Sequence, residues 1–343
     1  MTTTITTETH TPNTAVRAVR RLGTGAPVYG LLVVLLAALA ITDPGFYDPD
    51  SFLAFVKRAA PLVILAVGQY LVIVSGGFDL SVGAVVTAGV VAGAEFYGSY
   101  PDAPWLLVTA GLLVAGAVVG LANGLITTRL RVPSFITTLG MMLILEGAVF
   151  YWTGGSPQGV LPQNFREFGR GTAGGWLPWA VPACVLVGAA AVWLMRSDFG
   201  RTLLATGDSE RAANLAGVRV PRVRTLAFVL SGTAAALAAV LVAGFSGVSA
   251  QAGRGLEFEA ITAVVLGGVL LGGGRGSVVA AMAGAFSLQA LFTLLNLQGV
   301  SGALESTVQG VIVIAAVGLG ATGRPGLNRL RRHRSQPSGG TSS

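Results

Sequence analysis

Only one cysteine, one lysine and two histidines occur among the 343 residues. The lone Cys184 excludes a disulfide within the chain, and two histidines leave no Cys/His cluster to hold a metal. The lone lysine, Lys57, leaves no G-x-x-x-x-G-K-[ST] phosphate loop, so the chain cannot hydrolyse ATP by that route. Charge is scarce as well. Asp, Glu, Lys and Arg make up 11% of the residues, against about 25% in a soluble domain, too few to solvate a globular surface. His10 and His333 sit in polar tails, and no catalytic cluster emerges to support a membrane enzyme.

Apolar sequence is what abounds. Hydrophobic residues reach 52%, mean hydropathy is +0.71, and there are 49 glycines. Apolar runs of about 20 residues recur, the signature of a helical membrane protein, and glycine at this density suits close helix–helix approach in lipid. The fold class expected is an all-α polytopic membrane protein of about ten transmembrane helices. The spans fall near 26–42, 59–75, 80–97, 105–128, 132–152, 176–195, 225–245, 259–272, 276–297 and 303–321. An N-terminal tail at 1–25 precedes the 26–321 membrane domain, and a basic, disordered tail at 322–343 follows it. Gly- and polar-rich stretches at 75–83 and 272–277 break some helices part-way, which lipid tolerates only where the backbone is buried or lines a cavity. The first apolar run has the outline of a signal peptide. Its basic region of about 25 residues and the lack of a small-residue cleavage site before DPGFYDPD make it a retained span.

The net charge of +7 is not a nucleic-acid footprint, because the basic residues lie at span ends. With ten spans and both termini in the cytoplasm, 17 Lys/Arg fall inside and 5 outside, as the positive-inside rule requires. The same count puts the Gly/Pro-rich 153–175 segment outside, as an irregular loop open to an external partner, and the polar 196–224 loop inside.

Polar groups in the spans mark a solute path or interhelical hydrogen bonds. Among acids, Asp79, Glu95, Glu146, Glu259 and Glu305 qualify, with Glu146 the deepest. Gln69, Asn123, Gln289, Asn296 and Gln309 are neutral groups suited to a polyhydroxyl solute. Gly318, Gly320 and Gly323 form a G-x-G-x-x-G without βαβ context and read as helix packing. GGFDLSVGA at 76–84 and GGGRGSVVA at 272–280 share a faint echo of the kind internal repeats leave.

One polar island stands apart. In TGDSERAANLAGV, Asp208 or Ser209 caps a helix, Glu210 complements its positive end, and Gly217 ends it in the left-handed region. Ala212, Leu215 and Ala216 share one small apolar face. A helix of about two turns is unstable alone in water, so it packs either on its own spans or on another protein.

Three stretches carry a resemblance. SGGFDLSVGA (75–84), GDSERAANLAGVRVPRVRTLAFVLSGTAAALAAVL (207–241) and GRGLEFEAITAVVLGGVLLGGGRGSV (253–278) resemble the membrane permeases of ribose-type ABC sugar importers, as do NGLITTRLRVPSFITTLG (123–140) and LNLQGVS (295–301). The resemblance implies a permease in a bacterial plasma membrane, with no cofactor of its own. Its implied partners are cytoplasmic ABC ATPase subunits, a second permease copy, and an extracytoplasmic substrate-binding protein that delivers a monosaccharide. It implies that Gly207, Asp208, Ser209, Glu210, Ala212, Ala213, Leu215 and Gly217 form the ATPase-coupling element. Gly76, Gly77, Asp79, Ser81, Gly83, Asn123, Glu146, Gln289 and Asn296 are the residues expected at the path or at its helix breaks. Asp79 and Ser81 are expected to cap the helix after the break more than to touch sugar. The chain departs from the family at Phe258-Glu259, where an Asp is usual, and at Val269-Leu270, where a Thr-Ser pair is usual. Related permeases carry branched-chain amino acids or nucleosides, and an ion-coupled secondary transporter using Glu146 is the rival from another class.

Overall fold

The computed structural model describes residues 25–157, 159–300 and 302–322, so the tails expected at 1–25 and 322–343 lie almost wholly outside the described residues. In chain order the helices are α1 Ala26–Thr42, α2 Pro49–Val74, α3 Val82–Ser99, α4 Trp105–Arg129, α5 Ser134–Thr153, α6 Gln163–Arg170, α7 Ala180–Arg196, α8 Asp198–Asp208, α9 Glu210–Leu215, α10 Val220–Ser246, α11 Leu256–Leu266, α12 Val278–Leu297 and α13 Gly302–Thr322. Every expected span overlaps one of them. Among the described residues six helices (α2, α3, α4, α5, α10 and α12) are long and apolar enough to cross a membrane; α7 and α8, bent by 73° at their joint, make a seventh if taken together.

Proline at the first turn pre-sets the backbone for a helix start, and Pro49 opens α2 that way. This helix begins ten residues before the expected span at 59, despite Lys57 and Arg58. Lys57 keeps its charge outside the apolar face by donating to the Arg170 carbonyl at 3.2 Å, at the end of α6.

The central element is α10, which packs on α4, α2, α3 and α6. Its seam with α4 is a stripe of small residues. Gly116, Gly120 and Gly124 recur every fourth position, and a side chain on Gly120 would strike the Phe228 carbonyl, as one on Gly232 would strike that of Gly116. Such stripes let backbones meet where lipid gives no hydrophobic drive for association.

Three expectations need correction. The 153–175 loop is not wholly irregular: it holds α6, and its Thr172–Ala173 (β1) pairs with Leu177–Pro178 (β2) just beyond it. Phe165 is buried, and Gly169 meets Gly244 of α10 backbone to backbone, so tertiary packing orders a segment whose Gly/Pro content reads as loop. The 196–224 loop contains α8 as well as the short α9. The span expected at 259–272 is only the 11-residue α11; the helix stops because Gly267 and Gly268 end it, the latter at φ 75°.

Candidate functional site

Val74 ends α2, and Gly76, at φ 90°, supplies the left-handed residue that closes it. The Gly76 N–H donates to Ile73 at 2.9 Å and the Gly77 N–H to Val72 at 3.0 Å, the paired bonds of a Schellman stop. Residues 75–81 then run without helix into the protein, stitched by α5. The Phe78 N–H donates to Ser134 Oγ at 3.1 Å and the Leu80 N–H to Thr138 Oγ1 at 3.0 Å.

At the head of this segment Asp79 is 1% exposed. Its Oδ1 accepts from the Ser81 hydroxyl at 2.6 Å and the Ser81 N–H at 3.1 Å, and its Oδ2 from the Ser231 hydroxyl at 2.8 Å. Asn123 Nδ2 donates to Ser81 Oγ at 2.9 Å. Among the described residues no cation pairs with Asp79. A buried carboxylate must gather donors, and here they are neutral. Ser81 stands at the N-cap position of α3, but its hydroxyl donates to Asp79, so no side-chain cap bond forms, contrary to the expectation for both residues. Ser231 lies eleven residues into α10, about 16 Å along its axis, so the cluster is deep in the apolar layer. Gly83, one turn on, has no room for a side chain: the Gly253 carbonyl and the Glu257 carboxylate occupy the space.

The polar island folds as expected with one choice settled. Ser209 is the cap of α9, accepting from the Ala212 N–H at 3.3 Å, while Asp208 ends α8. Gly217, at φ 83°, closes α9 with a second Schellman stop: Val218 N–H to Ala213, and Gly217 N–H to Asn214, both 3.0 Å. Ala213 is the buried residue of α9, whereas Ala212, Leu215 and Ala216 face outward, Leu215 at 83% exposure.

The break and the island meet. The Gly274 N–H donates to the Val74 carbonyl at 2.9 Å. A side chain on Gly207 would strike that same carbonyl, and a Cβ on Gly273 would come within 3.0 Å of the Gly76 nitrogen and 3.1 Å of Gly207 Cα. The two segments of the sequence echo, 76–84 and 272–280, are thus neighbours. Beside this glycine junction lies a cavity of about 720 Å³, bordered by Gly76, Phe78, Arg131, Ser134, Glu210 and Arg224.

Of the residues expected at the path, Gly76, Gly77, Asp79, Ser81, Gly83 and Asn123 gather along this one segment. Glu146 is elsewhere, exposed on α5; Gln289 is half-buried on α12, and Asn296 is exposed, donating to Glu305 at 2.9 Å. Sequence reasoning passed over Ser134, Thr138, Arg224 and Ser231. Ser231 is one of four hydroxyl residues on α10, with Thr225, Thr233 and Ser246, and Arg224 is one basic residue of several in its stretch, so nothing local singles out either.

No solved structure matches the chain. A family model described as "Branched-chain amino acid transport system / permease component" matches residues 51–317. The chain is 35% identical to the ribose import permease protein RbsC of Escherichia coli K12, over 83% of this chain and 90% of that one. The ribose import permease protein RbsC of Bacillus subtilis 168 is 36% identical, over 85% of this chain and 90% of its own. The autoinducer 2 import system permease protein LsrC of Klebsiella pneumoniae is 34% identical, with 88% and 87% covered. A match of that extent, on a helical bundle with membrane-length spans, settles the matter: the chain belongs to the family of branched-chain amino acid transport system permease components.

Proposed function

We propose that this chain is the transmembrane permease subunit of an ATP-binding-cassette importer that carries a monosaccharide across a bacterial plasma membrane. The observation that carries the substrate class is the 35–36% identity, over 83–85% of the chain, to two ribose import permease proteins. The chain crosses the bilayer ten times with both termini in the cytoplasm, a reading supported by 17 basic residues inside against 5 outside. Two copies, or this chain and a second permease, form the path, and an extracytoplasmic binding protein delivers the sugar. ATP hydrolysis belongs to a partner subunit, since the chain has no phosphate loop.

Gly207 to Gly217 form the element on which that ATPase docks. Their outward residues, Ala212, Leu215 and Ala216, make a small apolar knob on a stretch otherwise polar, which a groove on a partner fits. Ala213 is buried against the permease and supports the knob from beneath, while Glu210, itself exposed, is tied to Arg224. Asp79 and its partners hold the break open in the apolar layer.

The test is co-purification of the full chain with the ABC ATPase encoded beside it, wild type against Ala212→Arg/Leu215→Arg. Retention by the wild type and loss by the variant at equal membrane level is the expected result. Equal retention by both moves the dock elsewhere, and no ATPase with either protein sinks the importer reading. The family description favours a second substrate class, branched-chain amino acids. Uptake competition between ribose-like sugars and leucine in reconstituted vesicles separates the two.

A further inference from the structure

The glycine junction holds the end of α8, just before α9, and one side chain ties α9 to the break. Arg224 donates from Nη1 to Glu210 Oε2 at 2.7 Å and from Nε to the Ser75 carbonyl at 3.1 Å. A single guanidinium therefore joins the first turn of α9 to the carbonyl end of α2.

Three features set this apart from a surface ion pair. The Arg224 side chain is 23% exposed against 54% for Glu210, so its charge is partly withdrawn from screening water. Its second partner lies at the C-terminus of a 26-residue helix whose dipole favours a cation, and the last turn of α2 has no basic residue of its own. The guanidinium is planar and donates in fixed directions, so displacing one partner displaces the group that holds the other.

The surroundings constrain this stretch unevenly. Just before α9, at the end of α8, Gly207 meets the Val74 carbonyl backbone to backbone, and the Gly274 N–H donates to that same carbonyl at 2.9 Å. The cavity of about 720 Å³ borders Glu210, Asn214 and Arg224 together with Gly76 to Phe78. The chain entering the short helix is held by main-chain contact at Gly207, while Glu210 and Asn214 border the open volume.

We infer that Arg224 is a positioning residue for transport, converting displacement of α9 into displacement of the non-helical 75–81 segment. This rests on the reading of α9 as the element a partner ATPase moves. Elements that share a side chain with two attachment points are coupled in the physical sense: a bias on one shifts the other.

Hydrogen exchange on the purified full chain tests the link without any partner. Glu210→Gln, which touches no atom of the break, is expected to speed exchange across 72–79 by about threefold, the scale of one part-buried ion pair. In an Arg224→Gln background the same change is expected to add nothing, because the route is already cut. Unchanged exchange in Glu210→Gln, or an equal increment in both backgrounds, overturns the proposal. A second arm uses the assembly reconstituted with ATPase and binding protein. Arg224→Gln is expected to keep the ATPase bound while sugar uptake falls about tenfold, within the usual range of site-to-site coupling; uptake at the wild-type rate overturns the proposal. If the wild type binds no ATPase, the importer reading fails, and the exchange arm still decides whether Arg224 carries the link.

Discussion

Arg224 and Ser231 stand seven residues apart on α10 and hold opposite ends of one non-helical segment. Arg224 donates to the Ser75 carbonyl at 3.1 Å, and Ser231 donates to the Asp79 carboxylate at 2.8 Å. Seven residues are close to two turns, so both side chains leave the helix on the same face, about 10 Å apart along it. A single rigid helix thus spans the 75–81 break from below and above.

The upper clamp depends on a carboxylate. Asp79→Ala removes the acceptor of three donors in a buried site, and each stranded group costs about 1–3 kcal/mol. Asp79→Asn keeps an oxygen for Ser81 and lets the Ser231 hydroxyl turn to accept. The expected order of thermal midpoints in one detergent is wild type, then Asp79→Asn, then Asp79→Ala by a wide margin. An Asp79→Ala protein that melts with the wild type removes the carboxylate from any structural account of the break.

At the lower clamp two glycines make opposite demands. Gly207→Ala places a methyl against the Val74 carbonyl and the Gly274 nitrogen, and backbone cannot rotate aside. Gly217→Ala meets no atom, but holds a residue with a Cβ at φ 83°, a cost of about 1 kcal/mol. The first is expected to raise hydrogen exchange at 72–77 and 270–276 together. The second is expected to loosen 210–218 alone. If Gly207→Ala leaves both junction segments protected, the close approach is not what holds them.

Gln69 is fully buried on α2, and neither atom of its amide has a hydrogen-bond partner among the described residues. A buried amide without partners is destabilising relative to an apolar side chain of similar size. Gln69→Leu is therefore expected to raise the thermal midpoint of the purified chain. A lower midpoint means that the amide has a partner, an ordered water or a second subunit, in the detergent-solubilised protein.

How much of this was legible beforehand follows from the range of the forces involved. The Ser209 cap and the Gly217 stop are local, since each satisfies backbone groups within four residues, and the composition of TGDSERAANLAGV carries them. The six helices of membrane length were legible because hydropathy is additive along a helix. The break at 75–81 was legible from its glycines. Its partners were not: Ser134, Thr138 and Ser231 lie 56, 58 and 152 residues from the residues they bind. Nor was α6, whose order comes from Gly169 seated on Gly244. The shared apolar face of Ala212, Leu215 and Ala216 was named from spacing, but which side of α9 turns inward is set by tertiary packing, and Ala213 is the residue buried.

The α4–α10 seam gives the sharpest contrast between two chemically identical changes. Gly120→Ala drives a methyl into the Phe228 carbonyl across the seam, where the obstacle is main chain on both sides. Gly111→Ala, two and a half turns earlier on the same helix, meets nothing within 4 Å. Helix propensity favours alanine in both cases by about 0.5–1 kcal/mol, so packing decides the sign. Overpacking at Gly120 costs about 1–3 kcal/mol or more, because α10 cannot retreat without leaving α2 and α3 as well. The expected result is a lower midpoint and less monodisperse protein on size-exclusion chromatography for Gly120→Ala, and a midpoint equal to or above the wild type for Gly111→Ala. Equal behaviour of the two variants would mean that α4 and α10 do not meet backbone to backbone. In that case the register that brings Asn123 to Ser81 and Ser231 to Asp79 falls with the seam.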